Sequence, residues 1–170
     1  LPSGSTMICQ FDKGWLRVRS NQSKFTLATL SAESFPTMTL DDKHTTWGID
    51  SGALQQLMTS SAFAMAEQDV RFFLNGLHLK ILDQSLQMVA TDGHRLAVAE
   101  TAIDVDAALS TQCIIPRKSA LTLNRILASE NDAISIKQTG QHIAFKSSRF
   151  ELTTNLLEGS NIECNQLIPN

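Results

Sequence analysis

At 170 residues and 42% apolar content, the chain is long enough to bury a core and to hold one domain or slightly more. A net charge of −3 excludes a global basic field drawing in nucleic acid, so only local patches remain for that purpose. Three cysteines at unrelated spacings argue against a disulfide framework and for a reducing cytoplasm, and no apolar run reaches the length of a membrane span.

The start, LPSGSTM, is not that of a signal peptide, and a first residue other than Met leads to the expectation of a fragment. Residues 7–11 and 15–19 alternate like paired strands, and SKFTLAT (Ser23 to Thr29) adds a third. Phe35-Pro36 and the polar run Asp41-Asp42-Lys43-His44 read as a linker. Residues 1–42 are therefore expected to be the tail of one domain and 43–170 a complete second one. That second domain reads as a strand at 44–49, a helix at 51–66 capped by Asp50 or Ser51, and strands near 72–83, 86–91 and 94–101. A strand at 112–115, a helix at 117–128 and strands near 133–138, 141–147 and 148–157 complete it. SRFELTT (Ser148 to Thr154) matches SKFTLAT about 125 residues earlier, and hairpin-like pairs precede both, which suggests a domain repeat. The fold class expected is α+β: antiparallel sheets with two helices on one face, plus three strands of a preceding similar domain.

Along the first helix Leu54, Leu57, Met58, Ser61 and Met65 form a core stripe, opposite the uncharged polar face of Gln55, Gln56, Thr59 and Ser60. In the second, Ala120, Leu123 and Leu127 face the core, and Lys118, Thr122, Arg125 and Ser129 form a cationic face free of acids. Such faces suit either ordinary solvated surfaces or a polyanion touched without sequence readout. Between the helices, Gln68 to Phe73 sets a cation beside two aromatics; both are expected at a strand entry in the core, with one able to reach solvent.

The run ATDGHRLAV (Ala90 to Val98) carries the strongest signal. Asp92-Gly93 predicts a tight hairpin turn, presenting Thr91, His94 and Arg95 at the mouth of a two-stranded ribbon with Leu96 just inside. Small, cationic and apolar groups on a rigid hairpin suit capture of a short peptide. Asp92 and His94 offer two members of a hydrolytic triad, but no G-x-S-x-G elbow is present and Cys9, Cys113 and Cys164 lack any nucleophile signature. His44, His78, His94 and His142 are scattered, so neither a metal nor a cofactor is expected.

QDVRFFLNG (Gln68 to Gly76), VATDGHRLAV (Val89 to Val98), IPRKS (Ile115 to Ser119), LLEG…LIP (Leu156 to Pro169) and LATLSAESFP (Leu27 to Pro36) span nearly the whole chain. Taken in chain order, they resemble the bacterial DNA polymerase III beta subunit family, the sliding clamps. The resemblance implies a cytoplasmic ring of two chains, each with three similar domains, that encircles duplex DNA. It implies a non-catalytic subunit of a nucleotide-polymerising complex, of which this chain holds the end of the first domain and the whole second. It further implies that the polymerase catalytic subunit, the clamp loader and repair polymerases dock a short peptide between the second and third domains. The matching positions are Leu74, Thr91, Gly93, His94, Arg95, Leu96 and Leu167, with Ile162 and Gln166 at the rim. DNA-facing positions implied in the same way are Gln68, Arg71, Phe72, Phe73, Arg117 and Lys118, with Arg125 added, and contact with DNA is expected to be weak and independent of sequence. The family's Gly-x-Phe/Tyr-Pro-Asp-Tyr run is replaced after Gly159 by Ser160, Asn161, Ile162, Glu163 and Cys164, which puts the usual peptide preference in question. A stand-alone, clamp-derived peptide-binding module without DNA encirclement is the alternative.

Overall fold

The structure is a computed structural model that describes residues 3–35, 38 and 44–159. The chain divides into two compact units, Leu1–Thr39 and Leu40–Asn170. In the first, β1 (Ile8–Asp12), β2 (Trp15–Ser20) and β3 (Ser23–Ala28) form an antiparallel meander. Both connections are two residues long, and their residues with positive φ (Lys13, Gly14 and Asn21) supply the mirror-image geometry that tight hairpins need. The register aligns Cys9, Val18 and Phe25 in one row and Phe11, Leu16 and Leu27 in the next, on one face of the sheet. Phe11, Phe25 and Leu27 on that face are exposed.

The second unit runs β4 (Thr45–Ile49), α1 (Ser51–Ser61), β5 (Gly76–Leu82), β6 (Ser85–Thr91), β7 (Leu96–Ala102) and β8 (Thr111–Pro116). It continues with α2 (Arg117–Leu127), β9 (Ile134–Gln138), β10 (His142–Lys146) and β11 (Glu151–Asn155). The strands make two four-stranded antiparallel sheets, ordered β7-β6-β5-β8 and β11-β10-β9-β4. Asp50 caps α1, its carboxylate accepting the Ala53 N–H at 3.0 Å. Both helices lie side by side and pack on the first sheet. Leu54, Met58, Leu123 and Leu127 of the helices join Leu77, Leu79, Leu86 and Met88 of that sheet and Ile136, Ile143 and Phe145 of the other in one core. Each such side chain contributes about 1.5–3 kcal/mol by leaving water.

Three expectations need correction. The helix expected to reach residue 66 ends at Ser61, whose hydroxyl donates to the Leu57 carbonyl at 2.7 Å, and a 3-10 turn over Ala62–Ala64 follows. The strand expected from Phe72 begins at Gly76, because Phe72–Asn75 closes a 3-10 turn; of the two aromatics Phe72 is the one that reaches solvent, 73% exposed. Finally, Ser148, Arg149 and Phe150 sit in the loop between β10 and β11, whereas their counterparts Ser23, Lys24 and Phe25 are in β3. The cause is Ser147, whose Oγ accepts the N–H groups of Arg149 and Phe150 at 3.1 and 3.3 Å and donates to the Glu130 carboxylate at 2.8 Å.

Glu130 is a structural junction. Its carboxylate also accepts the N–H groups of Asn131 and Asp132, and its carbonyl accepts the Ser51 hydroxyl at 3.2 Å. One buried residue thus ties the start of α1, the end of α2 and the β10–β11 loop. On the far side, the Leu157 N–H donates to the Ile114 carbonyl at 2.9 Å, laying the exit of β11 along β8.

Candidate functional site

Thr91 and Leu96 are the last paired residues of β6 and β7, so the turn spans four residues, 92–95, instead of the expected two. Asp92 shapes it: Oδ1 accepts the N–H groups of His94 and Arg95 at 2.9 and 3.0 Å, and Oδ2 accepts Arg95 Nε at 3.0 Å. The His94 N–H foremost, and then that of Arg95 and its side chain, hold the Asp92 carboxyl below the ordinary carboxylate range. Thr91 Oγ1 donates to the Arg95 carbonyl at 2.6 Å and accepts the Gly93 N–H at 3.1 Å. Gly93 lies at φ +87°, a conformation that disfavours any side chain. Asp92 therefore organises backbone and binds Arg95; its oxygens are committed to the turn, not to the His94 ring, and the pair does not make an acid–base dyad. Among the described residues no group of three His, Cys, Asp or Glu side chains gathers as a metal site.

Two arginines meet at the turn, one its own and one from outside. Arg95 lies over the ring of Phe63, 5.7 Å from its centroid. Phe63, 57% exposed, is absent from the sequence-based site because it was placed inside an over-long helix; an aromatic just past a Ser-Ser pair was its one signal. Arg71 approaches from the loop after α1: a Cβ on Gly93 would stand 3.1 Å from Arg71 Nη2. The structure thus brings Arg71, expected among the DNA-facing residues, against the turn expected to hold peptide. Arg71 is also paired with Asp69 at 2.8 Å, and Asp69 is driven down to about 2 mainly by the Arg71 side chain and then by its backbone N–H.

Of the two leucines expected at the peptide site, Leu74 is buried and Leu96 half-buried, so Leu96 is the more accessible. His78 Nε2 donates to the Phe73 carbonyl at 2.7 Å and braces the 3-10 turn. Gly159, at φ +151°, passes so close to Phe73 that a Cβ would stand 2.8 Å from the phenylalanine Cβ. Ile162, Gln166 and Leu167, with the atypical run Ser160 to Cys164, lie outside the described residues.

The remaining DNA-facing candidates separate by environment. Lys118 and Arg125 are exposed on the outer face of α2, on either side of Thr122. Arg117 instead anchors the exit of α1: Nη1 donates to the Met65 carbonyl at 3.0 Å, and Nη2 stands 3.8 Å from the Glu67 carboxylate. Gln68 is exposed with φ +60°, at the bend where the loop leaves this anchor. Its neighbours Phe72 and Phe73 are exposed and half-buried, respectively.

Comparison with known proteins shows what the chain as a whole is similar to. Residues 48–161 match the family model of the DNA polymerase III beta subunit, central domain. The chain is 34% identical over 169 residues to the beta sliding clamp of Pseudomonas putida, covering 99% of this chain and 46% of that protein. It is 31% identical to the beta sliding clamp of Escherichia coli K12, at the same coverage. Among solved structures it superposes on the DNA polymerase III subunit beta of Pseudomonas aeruginosa with TM-score 0.90 and 33% identity, over 99% of this chain and 47% of the other. The sliding clamp of Caulobacter crescentus gives TM-score 0.86 and 29% identity over 100% and 47%. The chain spans about half the length of the relatives it matches.

Proposed function

The chain belongs to the DNA polymerase III beta subunit family, the sliding clamps, and from that premise we propose that it is part of a non-catalytic processivity factor. In its whole form this protein is a homodimeric ring in the bacterial cytoplasm that encloses duplex DNA and tethers replication and repair proteins through short peptides. The Leu1–Thr39 unit is the end of a preceding similar domain, and the exposed apolar face with Phe11, Phe25 and Leu27 is what that domain's remaining part would cover. The region 43–170 is the second domain. No described helix is long and apolar enough to cross a membrane.

The observation that carries the reading is the 92–95 turn. Thr91 and Asp92 hold its backbone, so Gly93, His94 and Arg95 are presented in a fixed arrangement next to Leu96. Family correspondence assigns Leu167, Ile162 and Gln166 to the same peptide site. A peptide with two apolar anchors gains about 1.5–3 kcal/mol from each, less the cost of association, so affinity is roughly micromolar or weaker. DNA contact falls to Lys118 and Arg125, with Gln68, Arg71, Phe72, Phe73 and Arg117 near the helix exit. So few cations neutralise few phosphates, and binding fades steeply with salt; enclosure, not adhesion, keeps the ring on DNA.

An NMR titration with the peptide Gln-Leu-Ala-Leu-Phe tests the peptide site. Saturable shifts centred on Leu74 and residues 91–96 are expected. Shifts elsewhere, or none in a folded sample, would remove the support for this site.

A further inference from the structure

The loop between α1 and β5 is braced from within. Asn75 grips the backbone of Asp69 twice: its Oδ1 accepts the Asp69 N–H at 2.9 Å, and its Nδ2 donates to the Asp69 carbonyl at 2.8 Å. Asp69 then engages Arg71 with both carboxylate oxygens. Oδ1 accepts the Arg71 N–H at 2.8 Å and Nε at 3.0 Å, and Oδ2 accepts Nη2 at 2.8 Å. The far end of that guanidinium abuts the 92–95 turn, 3.1 Å (Nη2) and 3.5 Å (Nη1) from the position of a Cβ on Gly93. Asn75, Asp69, Arg71 and Gly93 thus form one continuous run of contacts from the start of β5 to the tip of the β6–β7 hairpin.

An arginine on an unbraced loop samples many rotamers, and a ligand must freeze them on binding. A guanidinium held in a two-oxygen fork has already lost that freedom, and its orientation is set by a planar, charge-assisted geometry that lysine does not reproduce. Arg71 keeps about half of its side chain exposed, and Nη1 takes no part in the bonds to Asp69. The N–H groups of Arg71 that do not bond Asp69 remain available as donors beside the 92–95 turn.

We propose that Asn75 and Asp69 are positioning residues for partner-peptide recognition, presetting the Arg71 guanidinium against the 92–95 turn as a fixed hydrogen-bond donor. The proposal rests on the peptide-site reading above. The fork stays charged through the neutral range, because the Asp69 carboxyl titrates at about 2. Glycine at position 93 has a second reason beyond its positive φ: any side chain there would push against the preset guanidinium.

The test follows the Arg71 Nε–H resonance and the affinity for Gln-Leu-Ala-Leu-Phe in the 170-residue chain and in Asn75→Ala, Asp69→Ala, Asp69→Asn, Arg71→Ala and the Asp69→Ala/Arg71→Ala double variant. Core methyl shifts report that each variant is folded, and Asp69→Asn, which keeps the side-chain volume, stands in should Asp69→Ala unfold. In the free wild-type chain the Nε–H exchanges slowly, and it exchanges fast in the Asp69 and Asn75 variants. Peptide affinity falls about two- to fivefold in each of these, the range of an exposed ion pair. The double variant is no weaker than Arg71→Ala alone. Multiplying losses in the double variant would overturn the proposal, as would wild-type affinity in Asn75→Ala and Asp69→Ala when Arg71→Ala binds more weakly. A slowly exchanging Nε–H with no peptide-induced shift in the wild type would sink the peptide-site reading; a rapidly exchanging Nε–H in the free wild type would sink the relay itself.

Discussion

Single acidic residues decide more of the local geometry here than the apolar pattern does. Asp50 starts a helix, Asp69 sets an arginine, Asp92 shapes a turn and Glu130 joins two helix ends to a hairpin loop. Glu130 accepts the Ser147 hydroxyl and backbone N–H groups, and those bonds, the Ser147 hydroxyl first, depress its carboxyl below the ordinary value of 4.5. A depressed folded-state value means the stabilisation is complete above the unfolded value and drains away as pH falls through the folded one. Glu130→Gln is therefore expected to lower the urea midpoint at pH 7. The gap to wild type should narrow once both are measured below the ordinary glutamate range. An unchanged gap across that range would show that charge at Glu130 has no part in folding.

At the scale of elements, the sequence periodicity located both α-helices and the eight strands among the described residues of the second unit, missed its two 3-10 turns and misplaced several ends. Apolar spacing is blind to what a hydroxyl does: Ser61 turns its Oγ on the Leu57 carbonyl, and α1 stops a turn earlier than its stripe suggests. Phe72 and Phe73 looked like the start of a strand, yet the chain needs Phe72–Asn75 to turn so that Gly76 can enter the sheet. Gly76 itself marks a close approach between elements. An added Cβ would stand 2.6 Å from Ile114 Cγ2, 2.8 Å from the Ile115 carbonyl and 3.0 Å from Leu157. Its backbone is extended, so the constraint is space and not φ. Gly76→Ala is expected to cost about 1–3 kcal/mol by prising β5 from β8 and the β11 exit. Chemical denaturation measures this directly, and a change under about 0.5 kcal/mol would mean the neighbours yield freely.

For the whole molecule, the core cluster among the described residues runs from Trp47 to Phe145, all in the second unit. Apolar burial is the main stabilising force, so a chain trimmed to residues 40–170 loses none of that cluster. Its thermal transition is expected to stay within a few degrees of that of the 170-residue chain by calorimetry, the scale on which about 1 kcal/mol registers. A fall well beyond that would show that the first unit stabilises the second.

The sequence by itself determined the α+β class, the core-facing residues of both helices, the hairpin at Asp92-Gly93 and the family, because apolar period, turn chemistry and short motifs are properties of neighbours along the chain. The tertiary structure decided what those neighbours meet. It placed Arg71 beneath Gly93, Phe63 under Arg95, Arg117 on the Met65 carbonyl and Ser147 on Glu130, pairs separated by between 17 and 52 positions. No local pattern encodes such pairings, because they come from the way two sheets and two helices pack around one core.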